Sequence, residues 1–225
     1  MHVSCLAEQA KILFAEVEEN NLGEKALTER WVRWEKCSLC EQKYHGVVCC
    51  AFGWACWKTY VGRPEADFAR SMAMTTLGNG LSEADQNEEA LSVRETELSW
   101  LRRLGLPEEY VLAAQSNLAG TYRQLGRDEE ALQLKRDVYS GHLSLDGEEH
   151  DSTLIAAYNY ALSLVKIDHF EEAKSLLRKT IPVARRVLGE SDHLTLSMRS
   201  LYAKGLYEDA GATLDDLRES VTTFE

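Results

Sequence analysis

A chain of 225 residues that is 44% hydrophobic is long enough to bury one elongated core or two small ones, and its length alone does not choose between them. A net charge of -12 argues against nucleic acid or an anionic membrane as the main partner, because phosphates are neutralised by a local excess of Lys and Arg; a basic or neutral peptide is easier to accommodate. No run approaches the ~20 apolar residues that cross a bilayer, and the opening MHVSCLAEQA has no basic segment followed by an apolar block, so the expected location is cytoplasmic.

Residues 1-63 hold all six cysteines (Cys5, Cys37, Cys40, Cys49, Cys50, Cys56), and in a reducing compartment such a cluster points to packing or metal rather than disulfides. Apolar residues Leu6, Ile12, Leu13, Phe14 and Val17 predict an amphipathic helix from Cys5 to about Asn20, ended by Asn20-Asn21-Leu22-Gly23. TERWVRWEKCSLCEQKYHG follows, then GVVCCAFGWACWKTYVG, apolar enough for a buried helix in which Cys49, Cys50, Cys56, Trp54 and Trp57 read as core. Two residues separated by a two-residue turn can both face one zinc ion, and two such pairs occur, His2-x-x-Cys5 and Cys37-x-x-Cys40.

The order His-x-x-Cys, helix, Trp31 and Trp34, Cys-Ser-Leu-Cys and Tyr44 resembles the C-terminal half of a RING-CH-type zinc domain. That family arranges eight ligands crosswise around two zincs and recruits a ubiquitin-conjugating enzyme. The resemblance implies that this chain supplies only the later ligands, His2, Cys5, Cys37 and Cys40, so it is expected to be a truncated member whose half-sites hold zinc weakly. Cys37-x-x-Cys40-x4-His45-x4-Cys50 also has the spacing of a retroviral-type zinc knuckle; Tyr44 beside the His and the acidic composition rank that reading lower.

Residues 66-225 repeat. AQSNLAGTYRQLGRDEEALQLKRDVYS and AAYNYALSLVKIDHFEEAKSLLRKTIP superimpose at a shift of 42, which places Asn117 on Asn159, Ala119 on Ala161 and Glu129-Glu130-Ala131 on Glu171-Glu172-Ala173. Gly105, Gly147 and Gly189 follow the same period. A weaker copy precedes them (Leu77 and Gly78 on Leu118 and Ala119), and a fourth, with Tyr202-Ala203 on Tyr160-Ala161, breaks off.

Each unit reads as helix, tight turn, helix. In the second, Leu112, Leu118, Ala119 and Tyr122 keep helical spacing, Leu125-Gly126-Arg127 supplies a Gly stop, and Asp128 is positioned to cap the helix opened by Glu129-Glu130-Ala131. Acidic pairs at 88-89, 129-130 and 171-172 suit the positive ends of second helices rather than acid catalysis, and the histidines at 142, 150, 169 and 193 fall beside acids in predicted inter-helix turns. Small residues at 119, 131, 161 and 173 let paired helices approach closely. One pair cannot bury both its apolar faces, so successive pairs must stack, which predicts an all-α solenoid with a cupped side.

Leu118-Ala119-x-x-Tyr122 with Ala131, and Tyr160-Ala161-x-x-Leu164 with Ala173, resemble the tetratricopeptide repeat, and the period of 42 with Asn-Leu-Ala and a closing Leu188-Gly189 is similar to its kinesin-light-chain-like subgroup. The resemblance implies a protein or peptide partner held by the first helix of each unit, through Ser116, Asn117, Gly120, Arg123, Gln124, Tyr158, Asn159, Leu162 and Lys166. Asn117 and Asn159 read either as ligand contacts or as inter-helix hydrogen bonders. The leading expectation is a non-catalytic interaction scaffold with no cofactor beyond possible zinc. The alternative is a RING-CH-type ubiquitin-protein ligase whose repeats select substrate, inactive in a truncated chain. No phosphate loop or nucleophile elbow is present, since Gly78-Asn79-Gly80 lacks a following Lys-Ser/Thr.

Overall fold

A computed structural model describes residues 3–209 and 211–224, which form eleven α-helices and no strand longer than an isolated Lys36–Lys43 bridge. The chain packs as two compact units, Met1–Leu106 and Pro107–Glu225. Among the described residues no helix is long and apolar enough to cross a membrane.

The first unit contains α1 (Val3–Glu19), α2 (Glu24–Trp31), a 3-10 turn (Val32–Trp34), α3 (Gly46–Tyr60), α4 (Phe68–Glu83) and α5 (Asn87–Arg103). Its core is aromatic. Phe14 of α1 meets the rings of Trp31 and Tyr60 edge-on at 5.0 and 5.5 Å, and Trp34 meets Tyr60 at 5.9 Å. Tyr44 stacks on Phe52 at 4.1 Å. Arg63 lies over Phe14 and Tyr60 while gripping both carboxylate oxygens of Glu18 at 2.6 and 2.7 Å, which ties the end of α1 to the segment after α3.

The expected N-terminal helix forms, but its inner face is Ala10, Phe14 and Val17, and Ile12 is 51% exposed. The apolar segment after Gly46 is a helix as expected. Cys50 and Cys56 are buried and Cys49 is half-buried, whereas Trp54, expected in the core, is 42% exposed. With apolar residues all round α3, its sequence carried no period to say which face turns outward.

Packing of α3 on α4 brings backbone against backbone. A Cβ on Gly80 would stand 2.7 Å from the Cys49 carbonyl oxygen, and one on Gly53 would stand 3.0 Å from Leu77 Cα. Glycine is required here by proximity rather than by backbone angle. The pair α4/α5 also holds two buried charges, Arg94 and Glu97. The Arg94 guanidinium donates to Asn79 Oδ1 at 3.0 Å, and Thr75 donates to Glu97.

The second unit stacks three antiparallel pairs: α6 (Glu108–Gln124) with α7 (Asp128–Asp146), α8 (Asp151–Lys166) with α9 (Phe170–Val187), and α10 (His193–Glu208) with α11 (Leu214–Phe224). Ala119, Ala131, Ala161 and Ala173 are all buried where the helices meet. Around Ala161 and Ala173, Leu154, Tyr160, Leu164, Leu177, Met198, Leu201 and Leu206 form one continuous core.

The turns inside the pairs follow one plan. Gly126 adopts φ +73, Arg127 N–H reaches back to the Tyr122 carbonyl at 2.9 Å, and His169 N–H repeats this to Leu164 at 2.9 Å around Asp168 at φ +61. Aspartate tolerates the left-handed region better than most side chains, which lets it stand where the neighbouring unit has glycine. Asp128 does not cap α7. It is the first residue of that helix, Arg127 occupies the cap position with its side chain turned to Glu130 and making no capping bond, and the Asp128 carboxylate accepts from Lys166 at 2.7 Å. His142 lies inside α7, paired with Asp146 at 2.8 Å, rather than in a turn, while His150 does cap α8 by accepting from Ser152 N–H.

A polar clamp recurs between successive pairs. Arg136 of α7 donates to the Tyr160 hydroxyl of α8 at 2.8 Å and lies 3.2 Å from Glu172 of α9, to which that hydroxyl also donates. One period later Arg178 donates to Tyr202 at 2.6 Å, and Tyr202 donates to Glu219 at 2.6 Å. Burial and the adjacent carboxylate push both tyrosines up, Tyr202 to about 12. At the corresponding place one period before Tyr160 stands Leu118, which lacks the hydroxyl.

Candidate functional site

The first helices of the second unit carry the residues expected to face a ligand. Gly120, Arg123, Asn159, Leu162 and Lys166 come together around a cavity of about 240 Å³ completed by Ala119, Lys135, Ser163, Val165 and Lys204. Ser116, Asn117, Gln124 and Tyr158 lie outside that lining; Gln124 is exposed and the other three are half-buried. Among the described residues the side-chain amides of Asn117 and Asn159 make no hydrogen bond, so the alternative role of bonding between helices is absent. The Asn159 backbone carbonyl accepts from Ser163 at 3.1 Å.

The cavity is cationic although the chain is acidic. Lys135 rises from α7 into the site, with its ammonium donating to the carbonyl and hydroxyl of Ser116 at 3.1 and 3.0 Å. Burial, reinforced by the Arg123 charge, pushes this lysine down to about 8. Lys166 pairs with Asp128 at 2.7 Å, and Lys204 lies 3.6 Å from Glu208. Neither Arg123 nor Lys135 has a carboxylate partner among the described residues.

Two of these cations were missed by sequence reasoning. Lys204 was within reach, because one period separates it from Leu162 and two from Gly120, so the repeat itself puts it on the ligand face. Lys135 had no such signal, since it belongs to a second helix and the resemblance assigns ligand contacts to first helices.

In the first unit, Cys37 and Cys40 share a tight turn. Cys37 N–H bonds to the Gln42 carbonyl at 2.9 Å, Glu41 N–H returns to the Cys37 carbonyl at 3.0 Å, and Glu41 takes φ +56. The backbone N–H groups of Cys40 and Leu39 and the Cys40 thiol point at Cys37 Sγ, the Leu39 nitrogen from 3.4 Å, and they lower its pKa. Ser38 of this turn donates to Gln9 at 3.1 Å, one helical turn beyond Cys5, which is exposed on α1. His2 lies outside the described residues. His45 faces Glu83 and Cys50 faces Gln86, so the knuckle-spaced set Cys37, Cys40, His45 and Cys50 does not converge. Among the described residues no group of three or more His, Cys, Asp or Glu is placed to hold a metal ion.

Comparison with known proteins agrees with this architecture. Residues 110–186 match the family model of the tetratricopeptide repeat. A crystal structure of a Podosopora anserina kinesin light chain candidate with nearly identical TPR-like repeats superimposes with a TM-score of 0.65 at 20% identity, covering 99% of this chain and 94% of that one. A point variant of the same protein gives 0.65 at 19% identity with the same coverage. BtubC (BKLC) from P. vanneervenii gives 0.60 at 14% identity over 100% of this chain and 72% of that one. A search of curated proteins finds no match. At these identities the likeness shows the fold: an all-α solenoid of tetratricopeptide-type helix pairs with structural neighbours of the kinesin-light-chain kind.

Proposed function

We propose that this chain is a non-catalytic interaction module that holds an extended peptide of a partner protein against the first helices of its second unit, through Asn117, Asn159 and their neighbours Ser116, Gly120, Arg123, Gln124, Tyr158, Leu162 and Lys166. One observation carries the reading. Two asparagines at equivalent repeat positions keep their amides unspent on the protein's own structure. Each offers one acceptor and two donors, the complement of a peptide backbone. Residues 66-225 are the interaction region in this reading, and residues 1-63 are the Cys-containing part that packs on its first helix.

The test is a peptide selected from a random library on the intact chain, then titrated against the Asn117→Ala/Asn159→Ala double variant. Loss of two to four hydrogen bonds worth ~0.5–1.5 kcal/mol each predicts at least about a fivefold rise in Kd with Tm within about 2 °C of the parent. Unchanged affinity, or a parallel fall in Tm, would assign the pair a structural role instead.

The zinc-dependent ligase reading receives less support. The Cys37–Glu41 turn favours the thiolate of Cys37, and with a zinc bound Cys37 and Cys40 would serve as two of its ligands. Two thiols fill half of a tetrahedral shell, however, and Cys5 stands apart on α1. The described donors therefore do not fit a closed zinc centre, and no recruitment of a ubiquitin-conjugating enzyme is derived from them.

A further inference from the structure

We propose that the cavity bounded by α6, α7, α8 and α10 receives a phosphorylated side chain of the bound peptide, making the module a reader of partner phosphorylation; this rests on the groove reading above and specifies its ligand.

Charge is the first argument. The chain carries a net -12, yet the cavity lining contains Arg123, Lys135, Lys166 and Lys204 and not one carboxylate. Of the acids at its edge, Asp128 offsets Lys166 and Glu208 offsets Lys204, which leaves Arg123 and Lys135 as two cations without an opposing carboxylate among the described residues. A phosphomonoester carrying about two negative charges at neutral pH matches that surplus, and a single carboxylate covers half of it. The distant acids of the chain do little to oppose this, because charges farther than about 8 Å are screened at physiological ionic strength.

Geometry is the second argument. The donors enter from four helices: Arg123 from α6, Lys135 from α7, Asn159 and Lys166 from α8, Lys204 from α10. A planar carboxylate is best served by donors arriving in one plane, as from a single bidentate arginine. Three tetrahedrally disposed phosphate oxygens suit donors that converge from around a cup. Lys135 is also held in place before any ligand arrives. Two of its N–H groups are fixed by Ser116, so little side-chain freedom remains to be lost on binding, and one N–H is left to give.

Energy is the third. Holding a half-buried ammonium against a neighbouring guanidinium is unfavourable, which is why Lys135 is pushed down to about 8. A dianion in the cavity reverses that balance. Binding near pH 8 is therefore accompanied by proton uptake on Lys135, a signature that binding elsewhere on the groove does not produce.

The experiment uses the full chain and three fluorescein-labelled pools of degenerate nonapeptides whose central residue is phosphoserine, serine or glutamate, with inorganic phosphate as a fourth probe. Anisotropy should show the phosphoserine pool binding at least tenfold tighter than both others. Arg123→Met/Lys135→Met should abolish the preference, so that the phosphoserine pool binds no more tightly than the serine pool does to the same variant. Calorimetry at pH 8 in two buffers of different ionisation enthalpy should report proton uptake for the phosphoserine pool alone. Should the double variant fail to fold, Lys204→Met, at an exposed position, should by itself reduce the preference several-fold. Equal binding of the phosphoserine and glutamate pools, or a preference that survives the substitutions, overturns the inference. If the serine pool binds through Asn117 and Asn159 and phosphorylation adds nothing, the inference falls and the groove reading stands. If inorganic phosphate binds with proton uptake and no peptide pool binds, the groove reading falls and takes the inference with it, leaving only an anion site.

Discussion

Adding one methyl group to a helical glycine should have opposite signs at two places in this molecule. At position 80 the new Cβ would sit 2.7 Å from the Cys49 carbonyl oxygen and 3.0 Å from Cys50 Cα, and neither backbone atom can swing aside. Relief requires α3 and α4 to separate by several tenths of an ångström along their contact. Overpacking of this kind costs ~1–3 kcal/mol, and the better helix propensity of alanine returns ~0.5–1, so Gly80→Ala should destabilise the first unit by about 1–2 kcal/mol. At position 120 no atom lies within 4 Å of the added methyl, so propensity acts alone and Gly120→Ala should stabilise the second unit by ~0.5–1 kcal/mol. The protein carries its own reporter for telling the units apart. All five tryptophans (31, 34, 54, 57 and 100) belong to the first unit, so fluorescence follows that unit while circular dichroism at 222 nm follows both. With a urea slope of ~1–2 kcal/mol/M, Gly80→Ala should lower the fluorescence midpoint by about 1 M, and Gly120→Ala should raise only the dichroism transition. Equal shifts of the same sign would refute the backbone contact between α3 and α4.

Three further expectations concern other parts of the fold. Lys135 is depressed from 10.5 to about 8 in the folded chain, so the unfolded chain holds the extra proton between those values and stability of the second unit should rise as pH climbs from about 8 to 10; urea midpoints measured across that range should flatten in Lys135→Met, and an unchanged slope would deny the burial. Above pH 10 the raised tyrosines 160 and 202 act in the opposite sense, because their unfolded forms lose the proton first. Tyr160→Phe should cost about 1 kcal/mol in the dichroism transition, and a double-mutant cycle with Arg136→Met should return a coupling of ~0.5–1.5 kcal/mol; strict additivity would show that the clamp does not form. Replacing exposed Trp54 by Gln should change the stability read by fluorescence by less than ~0.5 kcal/mol, while Phe52→Ala, at a fully buried position in the same helix, should cost ~3–5 kcal/mol.

The repeats were legible because their constraint is periodic. A buried alanine at 119, 131, 161 or 173 and a left-handed residue closing each pair must recur wherever the same packing recurs, and 42 residues of self-similarity expose them. Single-copy features were harder to read. Trp54 was placed inside because α3 has apolar residues on every face, and only its contact with α4 settles which of them turns outward. Asp128 has the chemistry of a cap but stands one residue too late, and a lysine 38 residues away engages it instead. Lys135 reaches the candidate site from the helix behind it, a relation between elements that no local pattern encodes. The charge of the site is likewise opposite to that of the whole chain, a local excess that bulk composition does not register.

The Arg136–Tyr160 and Arg178–Tyr202 clamps each use an arginine from the outgoing helix of one pair and a tyrosine from the incoming helix of the next. Every pair built to this recipe presents a socket on one side and a plug on the other. A duplicated segment of 42 residues would therefore mate with both neighbours at once, with no compensating change in either. Growth or loss of whole units by recombination becomes a neutral edit to the hydrogen-bond network, and the length of the binding surface can drift without the joints being reinvented.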